Sequence, residues 1–576
     1  MHRDMADHAN KKEDLRMRQQ TLPIAVRGAG RPMTLALGLG LLLSTGAQAQ
    51  SLPSPGAVLE QTRPAQVQPT APGAVLTLPA PTQQKSGSTL LIPVSKLVIE
   101  GNSWLASAQL HKLVAPAEGH KLTLDALNGY VARITEAYHA AGYPVAYAYL
   151  PAQKVRNGVI RIAVVEPHYD QVTVSGESRF KPDQARATVG VKPGDPVVSK
   201  PLSRGLLLLQ ETPGVQVQGI LLPGAQPVTT TLDLKRTDLP LVSGSTGLSN
   251  DGNQYTGKLL GNFNVTANDP FGMGSSLSAN GLISQSGGLK AGGFAALSPD
   301  LGNGLRAGVY GSVTSYVLGQ DFAALDQHGK ASQAGVNLSY PLLLQTGRRL
   351  DLRLDLLKNW MSQDTRSTAT QANQQVTLAR LGLSGAISDA KGNVTSGRIA
   401  FSQGRLTLGP DAARVADAAG PNAAGDFSLL RFRLTRDQHL GQGFSLRADL
   451  SGQLASKNLD SSQKFYLGGP DGVMSASAGT GGGDVGVIMR LKLSHGLDQV
   501  TLPGRLEGAV LAQFGAVKLD HTRYAAGPEH LSGGAIGLGL DYTQGAFSVQ
   551  AAVVAPAGGN GLATGRRIWL SSTLSF

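Results

Sequence analysis

The sequence predicts an all-β transmembrane barrel of about sixteen antiparallel strands, preceded by two small α+β domains. Three observations favour this fold class: two-faced strands recur through the C-terminal half, the chain ends in such a strand, and it begins with an export signal. In the last strand an apolar face alternates with a polar one, as the two-residue period of a strand requires. The apolar face is Ile568, Leu570, Ser572, Leu574 and Phe576, and the polar face is Arg567, Trp569, Ser571, Thr573 and Ser575.

The same alternation appears in Leu350–Leu356, Phe444–Ser451 and Met489–Leu493. For any single strand, a soluble β-sandwich explains the pattern equally well, with the apolar face buried in a core. In a membrane barrel the faces are reversed, because apolar side chains face lipid and charged ones line a watery lumen. The number of strands, the terminal Phe576 and the export signal together favour the barrel.

Composition limits the other possibilities. The chain has 576 residues, 73 of them Gly, no Cys, and a formal net charge of +12. Interior apolar runs fall short of the roughly 20 residues that a spanning helix needs, and without Cys neither disulfides nor thiolate chemistry is possible. The positive charges are dispersed along strands and no recognition motif accompanies them, so nucleic acid is not a predicted partner.

Residues 1–49 combine a basic region, a short apolar run and Ala47-Gln48-Ala49, which predicts a secretory signal peptide cleaved after Ala49. Residues 50–89 are rich in Pro, Gln and Ala, which indicates a linker. Within this linker, Pro55–Gln61 has the composition of a short helix.

Two mixed units follow, at residues 90–167 and 168–239. The first has a strand at Lys96–Glu100, a helix capped by Thr123, and strands at Val145–Leu150 and Val159–Glu166. The second repeats the plan with a strand, a Leu-rich helix and two more strands. From 240 to 576, about sixteen strands alternate with Gly, Asn and Asp turns, at about 21 residues per strand and connection. The longer predicted connections are Thr407–Asp426 and Ser456–Gly486.

Short motifs in both regions resemble the POTRA-plus-barrel transporters of two-partner secretion, the haemolysin-activator and filamentous-haemagglutinin transporter type. The resemblance begins near residue 50 and continues in one order to the C-terminus. Its motifs are Lys96–Asn102, Tyr138, Gly142-Tyr143, Leu150–Gln153 and Asn157–Val159 in the first unit, Thr212–Val215 and Leu222–Gly224 in the second, and Asn250–Gly252, Thr256-Gly257, Asn268–Gly272, Tyr340-Pro341 and Phe465–Pro470 in the barrel.

The resemblance implies a Gram-negative outer-membrane pore with two periplasmic POTRA domains. Such a pore recognises a large unfolded exoprotein by its N-terminal secretion domain and passes it through the lumen without ATP. An N-terminal helix plugs the family's pore, and Val58–Gln61 is the candidate here. Outer-membrane lipid, and the barrel-assembly machinery acting on the strand that ends at Phe576, are the other implied partners.

One loop departs from the family, whose inward-folded loop carries a Val-Arg-Gly-Tyr or Val-Arg-Ala-Tyr tip. In the loop at about 465–486, the aligned tip is Val473, Met474, Ser475 and Ala476. The family's Arg pairs with an Asp on a later strand, and the aligned position here is Gln513. Changing both partners avoids an unpaired buried charge, which costs roughly 3–5 kcal/mol. We expect the tip to lie inside the barrel, held by packing and backbone bonds; the alternative is a solvated loop in a functionally decayed copy.

Candidate client contacts lie on the strand of the first unit that contains Val145, Tyr147 and Tyr149, where an extended polypeptide adds to a sheet edge. Core packing is the alternative role for at least one tyrosine. Charged residues predicted to keep the pore wet, or to stabilise the barrel through salt bridges, are Asp351, Arg353, Asp355, Arg431, Arg433, Arg447, Asp449, Arg490 and Lys492.

An enzyme is not predicted: no catalytic residues, cofactor or metal site emerge, because the His residues lack ligand spacing and no nucleophile elbow or phosphate loop is present. Two non-enzymatic alternatives remain. A barrel-assembly factor of the same superfamily typically carries more POTRA repeats, and a plain porin has no use for such domains.

Overall fold

The computed structural model describes residues 54–62, 69–73, 89–500 and 502–576. The predicted signal peptide therefore lies outside the described residues, as does most of the predicted linker. Within the described linker residues, α1 spans Pro55–Gln61. No helix in the described ranges is long and apolar enough to cross a membrane.

The first small unit packs two helices, α2 (Ser107–Val114) and α3 (Leu124–Ala140), against a three-stranded sheet of order β2 (Lys96–Glu100), β5 (Val159–Val165), β4 (Tyr147–Tyr149). The core includes Leu110, Ile134 and Tyr138, all fully buried. The Thr123 side chain accepts a hydrogen bond from the Ala126 N–H, so the predicted cap of α3 is present. The elements are β1 (Ile92–Pro93), β2 (Lys96–Glu100), α2 (Ser107–Val114), β3 (Lys121–Leu122), α3 (Leu124–Ala140), β4 (Tyr147–Tyr149) and β5 (Val159–Val165).

The second unit has two helices and a three-stranded sheet of order β6 (His168–Ser175), β8 (Thr229–Asp238), β7 (Val215–Pro223). Sequence analysis missed its first helix, although Pro182 at the first turn, Asp183 beside it and a left-handed Gly190 at its end are ordinary helix boundaries. The elements are β6 (His168–Ser175), α4 (Pro182–Val189), α5 (Ser199–Gln210), β7 (Val215–Pro223) and β8 (Thr229–Asp238).

Sixteen antiparallel strands then close into a barrel, which confirms the predicted fold class. The second small unit contacts the end that we call the near end, and the opposite end is the far end. Apolar residues on the outer face remain exposed, as in Ile568, Leu570 and Phe576. The first eight strands are β9 (Val242–Ser249), β10 (Leu260–Asn268), β11 (Ser276–Ser284), β12 (Leu289–Leu297), β13 (Arg306–Val317), β14 (Gln327–Gln345), β15 (Arg348–Thr365) and β16 (Thr370–Ser388).

The two longer connections lie between strands of the second half of the barrel. The first of these is largely a helix, α6 (Asp411–Ala419), and the second contains a short pair, β20 (Phe465–Tyr466) and β21 (Gly482–Gly483). The barrel strands here are β17 (Val394–Gly409), β18 (Gly425–Gly441), β19 (Phe444–Ala455), β22 (Val485–Gly496), β23 (Arg505–Lys518), β24 (His530–Gln544), β25 (Phe547–Pro556) and β26 (Arg567–Ser575). Three 3₁₀ helices are described, at Ala115–Ala117, Gln320–Leu325 and Arg366–Thr368.

A buried carboxylate holds the last residues of the first small unit, at its joint with the second unit, against the rest of the first unit. Glu166 accepts hydrogen bonds from the backbone N–H groups of Ser103 and Trp104, at 2.9 and 2.8 Å, and from the Tyr138 hydroxyl at 2.6 Å. The Trp104 ring also stacks on Tyr143, with centroids 4.5 Å apart. Burial opposes ionisation of Glu166, yet the hydrogen bonds outweigh it and lower the pKa of this carboxyl.

Glu166→Gln should destabilise this joint by about 1–3 kcal/mol, because an amide cannot accept from every donor that the carboxylate satisfies. Because the pKa of Glu166 is lower in the folded state, its ionised carboxylate stabilises the fold fully at pH values above the ordinary pKa of glutamate. This stabilisation is lost as the pH falls through the lowered pKa. The difference between variant and parent should therefore be large at neutral pH and shrink below about pH 4.

The measurement is amide hydrogen exchange over residues 96–175 of the full chain in detergent, comparing parent and variant at each pH. Glu100→Gln is the matched control, since the Glu100 side chain is 54% exposed beside an equally open Arg161. A deficit that is independent of pH, or equal in the control, would contradict this role of Glu166.

Candidate functional site

The inner face of the barrel from β15 to β22 is lined by charges that pair with one another. Asp449 binds both Arg433, at 2.7 Å, and Arg490, at 2.9 Å. Arg353 pairs with Asp355 at 2.9 Å. The structure places all of the sequence-predicted lining residues on this inner face: Asp351, Arg353, Asp355, Arg431, Arg433, Arg447, Asp449, Arg490 and Lys492.

The connection between β19 and β22 folds into the lumen, and its tip is buried against the wall. Val473, Ser475 and Ala476 have no exposed surface, and Met474 is 9% exposed. The Met474 N–H donates to Oε1 of Gln513 at 2.7 Å. The structure thus brings together the tip and the strand position that the alignment matched, through a backbone-to-amide bond instead of an ion pair.

Two residues of the last strand complete the contact, and sequence analysis did not single them out as site residues. Trp569 Nε1 donates to the Met474 carbonyl at 2.8 Å, and Arg567 Nε donates to the Ser475 carbonyl at 3.0 Å. Both lie on the polar face of β26. A large aromatic residue facing a watery lumen was the available signal, because such a side chain needs a packing partner there.

Helix α1 lies inside the barrel against β13, β14 and β15. Val58, 1% exposed, packs with Tyr255 and Tyr316, and Leu59, 4% exposed, packs with Leu357 among others. Gly56 allows α1 to meet the inward loop, since a Cβ there would lie 2.4 Å from the Ser462 nitrogen. The predicted plug segment Val58–Gln61 is therefore part of a helix within the lumen.

Farther along the linker, Pro72 lies at the near end of the barrel. Its carbonyl accepts a hydrogen bond from the Gly347 N–H at 2.8 Å. Gly347 lies in the turn between β14 and β15. The linker thus reaches a turn at the near end of the barrel.

The predicted client edge divides into two environments. Tyr147 and Tyr149 are 47% and 44% exposed, with ring centroids 6.1 Å apart. Val145 instead packs against the core of the second unit. The Ala148 N–H donates to the Thr135 hydroxyl at 3.0 Å, so a main-chain donor between the tyrosines is already bonded to α3.

The second unit docks on the near end through α5 and two of the motifs. Arg204 donates to the carbonyls of Asn303 and Pro341, at 3.0 and 2.9 Å. Two of the motifs also touch each other. Gly214, in the motif Thr212–Val215, lies against the carbonyl of Asn268, the first residue of the motif Asn268–Gly272. The motifs that carried the resemblance therefore meet at the joint between unit and barrel.

Comparison with known proteins agrees with this architecture. The profile of ShlB-type POTRA domains matches residues 92–167, and that of the haemolysin secretion/activation protein ShlB/FhaC/HecB matches residues 229–540. The heme/hemopexin transporter protein HuxB of Haemophilus influenzae is 23% identical over 561 residues, covering 94% of this chain and 98% of that protein.

Two solved structures share the fold. CdiB from Escherichia coli has a TM-score of 0.68 at 19% identity, covering 91% of this chain and 96% of that one. BamA from Haemophilus ducreyi lacking POTRA domains 1–3 has a TM-score of 0.52 at 12% identity, covering 84% and 100%. Because the ShlB/FhaC/HecB match spans more than half of the sequence, the chain belongs to the haemolysin secretion/activation family, the outer-membrane transporters of two-partner secretion, whose POTRA domains are periplasmic.

Proposed function

We propose that the POTRA units capture one large unfolded exoprotein in the periplasm, and that this polypeptide leaves through the lumen once α1 has been displaced. The observation that carries this proposal is the pairing of a charged, wet inner wall with a short helix that fills the lumen and is joined to the rest of the chain by a linker. With this orientation, the near end of the barrel is periplasmic and the far end is extracellular.

Inner-wall charges suit such a passage because they hold water and offer few apolar contacts to a sliding chain. Most are neutralised by neighbours on the same wall, as in the Arg447–Asp437 pair at 2.6 Å. A paired charge binds a passing side chain weakly, since it must first lose its partner. These residues therefore stabilise the barrel and keep the path open without selecting a client.

We propose that selection begins at the exposed Tyr147 and Tyr149, by side-chain contact. The nearby Ala148 N–H is bonded to Thr135, so main-chain pairing at that residue requires this bond to open. We also propose that barrel assembly recognises the C-terminal strand, where Phe576 exchanges backbone bonds with Gly244 at 2.8 and 2.9 Å. Outer-membrane lipid covers the exposed apolar outer face.

Opening of the pore is the first prediction of this scheme. Leu59→Asp should weaken the seating of α1, because a carboxylate would replace a 4% exposed leucine among Leu357, Met361 and Val376. In planar bilayers, the variant should spend roughly tenfold more time in a high-conductance state, as expected for a loss of about 1.4 kcal/mol. Leu91→Asp is the control, at a leucine that is 57% exposed. Unchanged conductance in Leu59→Asp would show that α1 does not close the pore.

Capture by the tyrosines gives the second prediction. The Tyr147→Ala/Tyr149→Ala double variant should reduce secretion roughly fivefold or more, since each aromatic anchor of an interface commonly contributes over 1 kcal/mol. The substrate is the exoprotein that disappears from the medium when this chain is deleted, and the readout is its secreted amount at equal barrel levels. Tyr524→Ala, at an exposed tyrosine far from the POTRA units, should secrete normally. Normal secretion by the double variant would contradict the proposed contact.

The third prediction concerns the inward loop. The native chain has no Cys, so Met474→Cys introduces a unique thiol, and the bonds of residue 474 to Gln513 and Trp569 use its backbone. On intact cells, an impermeant maleimide should label this thiol slowly. Adding Gln513→Ala and Arg567→Gln removes two wall side chains that hydrogen-bond to the tip, one as acceptor and one as donor. Each bond is worth about 0.5–1.5 kcal/mol, so labelling should accelerate roughly tenfold.

Tyr524→Cys, at a far-end residue that is 48% exposed, provides the fully labelled reference. Rapid labelling of Met474→Cys without the further changes would indicate a solvated tip, and would support the decayed-copy alternative.

A further inference from the structure

A row of polar side chains crosses four adjacent strands on the outer face near the far end. Lys290 of β12 is the register partner of Ser315, Ser315 of Lys330, and Lys330 of Ser362 on β15. We call these four residues the outer lysine row. The side chains of the row point outward, because the adjacent residues along each strand are buried on the inner face. These neighbours are Leu289, Tyr316, Ala331 and Met361.

The row lies at the far-end edge of the apolar band of the barrel, where the exposed Ile283 and Val317 flank Lys290 and Ser315. On the same outer face, closer to the middle of the strands, Phe294, Val336 and Leu356 are 60%, 49% and 50% exposed. Between this band and the row lies Trp360, with Lys358 Nζ 5.5 Å from its ring centroid. Tryptophan and snorkelling lysine mark the boundary between hydrocarbon and headgroups, which places the β15 end of the row at this boundary.

The spacing of the lysines suits a single anionic group. They are separated by two strand spacings, which places their Cα atoms about 10 Å apart. Lysine side chains extend far enough for both ammonium groups to approach one phosphate between them, with the Ser315 hydroxyl below it. A groove of about 360 Å³ is present here, lined by Lys290, Ser315, Lys330 and Ser362 together with His328 and Asp364.

The acidic groups beside the groove already have partners. Asp326 binds His328 at 2.8 Å and Arg366 at 3.6 Å, and Asp364 lies 3.6 Å from Arg366. In the part of the chain that the structure describes, no carboxylate lies within 4 Å of Lys290 or Lys330.

Two other outward-facing cations at the far end differ in this respect. Lys518 pairs with Glu529 at 3.3 Å, and Arg405 with Asp426 at 2.6 Å. The outer lysine row is thus a concentration of unneutralised positive charge at the far-end edge of the apolar band.

We propose that the outer lysine row binds the phosphate of the phosphorylated glycolipid that forms the outer leaflet of the outer membrane. The location selects this ligand, since the far end is extracellular and the groove opens onto the lipid-facing side. Basic clusters at this depth bind anionic lipid headgroups, with each lysine adding about tenfold or less in affinity.

The same strands hold the plug helix on their other face. Thr314, beside Ser315, lies 3.1 Å from the Thr62 hydroxyl, and Ala331 and Met361 pack with Leu59. A lipid bound on the outer lysine row therefore braces the wall on which α1 rests.

The test compares the full chain with its Lys290→Gln/Lys330→Gln variant in phosphatidylcholine vesicles containing bisphosphorylated lipid A or the same lipid A without phosphates. Bisphosphorylated lipid A should raise the heat-unfolding midpoint of the parent by several degrees and bind the double variant roughly tenfold more weakly. Dephosphorylated lipid A, or inorganic phosphate added to plain vesicles, should produce no such rise.

Arg405→Gln is the matched control, since it removes an outward cation that is already paired, and it should keep the full response. Lys290→Arg/Lys330→Arg keeps both charges and should keep it too, which guards against a folding defect in the Gln variant. An equal midpoint rise in the Gln variant, or with dephosphorylated lipid A or inorganic phosphate, would overturn the assignment.

Discussion

Closure of the barrel is the constraint on which the other features depend. In hydrocarbon, an unpaired backbone group costs several kcal/mol, so the first and last strands must meet. β26 and β9 pair over five register positions, from Ser571–Ser249 to Ser575–Ser245. Beyond this ladder, the Asn250 amide bonds the backbone of Ile568 and Leu570 at one end, and Phe576 bonds Gly244 at the other. Side chains and the chain terminus thus extend a short seam.

A closed barrel of this size has a wet interior, and the inner face must remain polar to suit it. The lumen of this chain is filled by its own segments, which are held in different ways. Helix α1 is held mainly by apolar side chains such as Val58 and Leu59. The inward loop also packs apolar side chains, including Val473 and Met474, and adds hydrogen bonds to Gln513, Trp569 and Arg567. Apolar packing has little directional preference, whereas these hydrogen bonds give the loop a defined position.

Local patterns predicted the strands well, because alternation over a few residues is enough to identify Leu350–Leu356 or the last strand. The motifs matched to a known family located the loop tip and Gln513. Neither source identified Arg567 and Trp569 as contacts of the tip, which lies about ninety residues earlier in the chain and meets them only through barrel closure. Val145 shows the same limit: its strand pattern resembles that of Tyr147, yet it packs against the core of the second unit, a contact that depends on how the two units meet.

The loop contact shows how a lost ion pair is replaced. In the family motif that this loop resembles, the cation belongs to the tip, so separating the tip from its partner would also separate the charges. Here the tip residues Val473–Ala476 are uncharged, and the cation, Arg567, belongs to a barrel strand. Breaking a buried ion pair strands a charge, but separating carbonyls from Arg567 leaves the guanidinium in a wet lumen where water replaces them. The polar bonds of the tip therefore cost less to break than a buried salt bridge, and the apolar packing of Val473, Met474 and Ala476 contributes the rest of its anchoring.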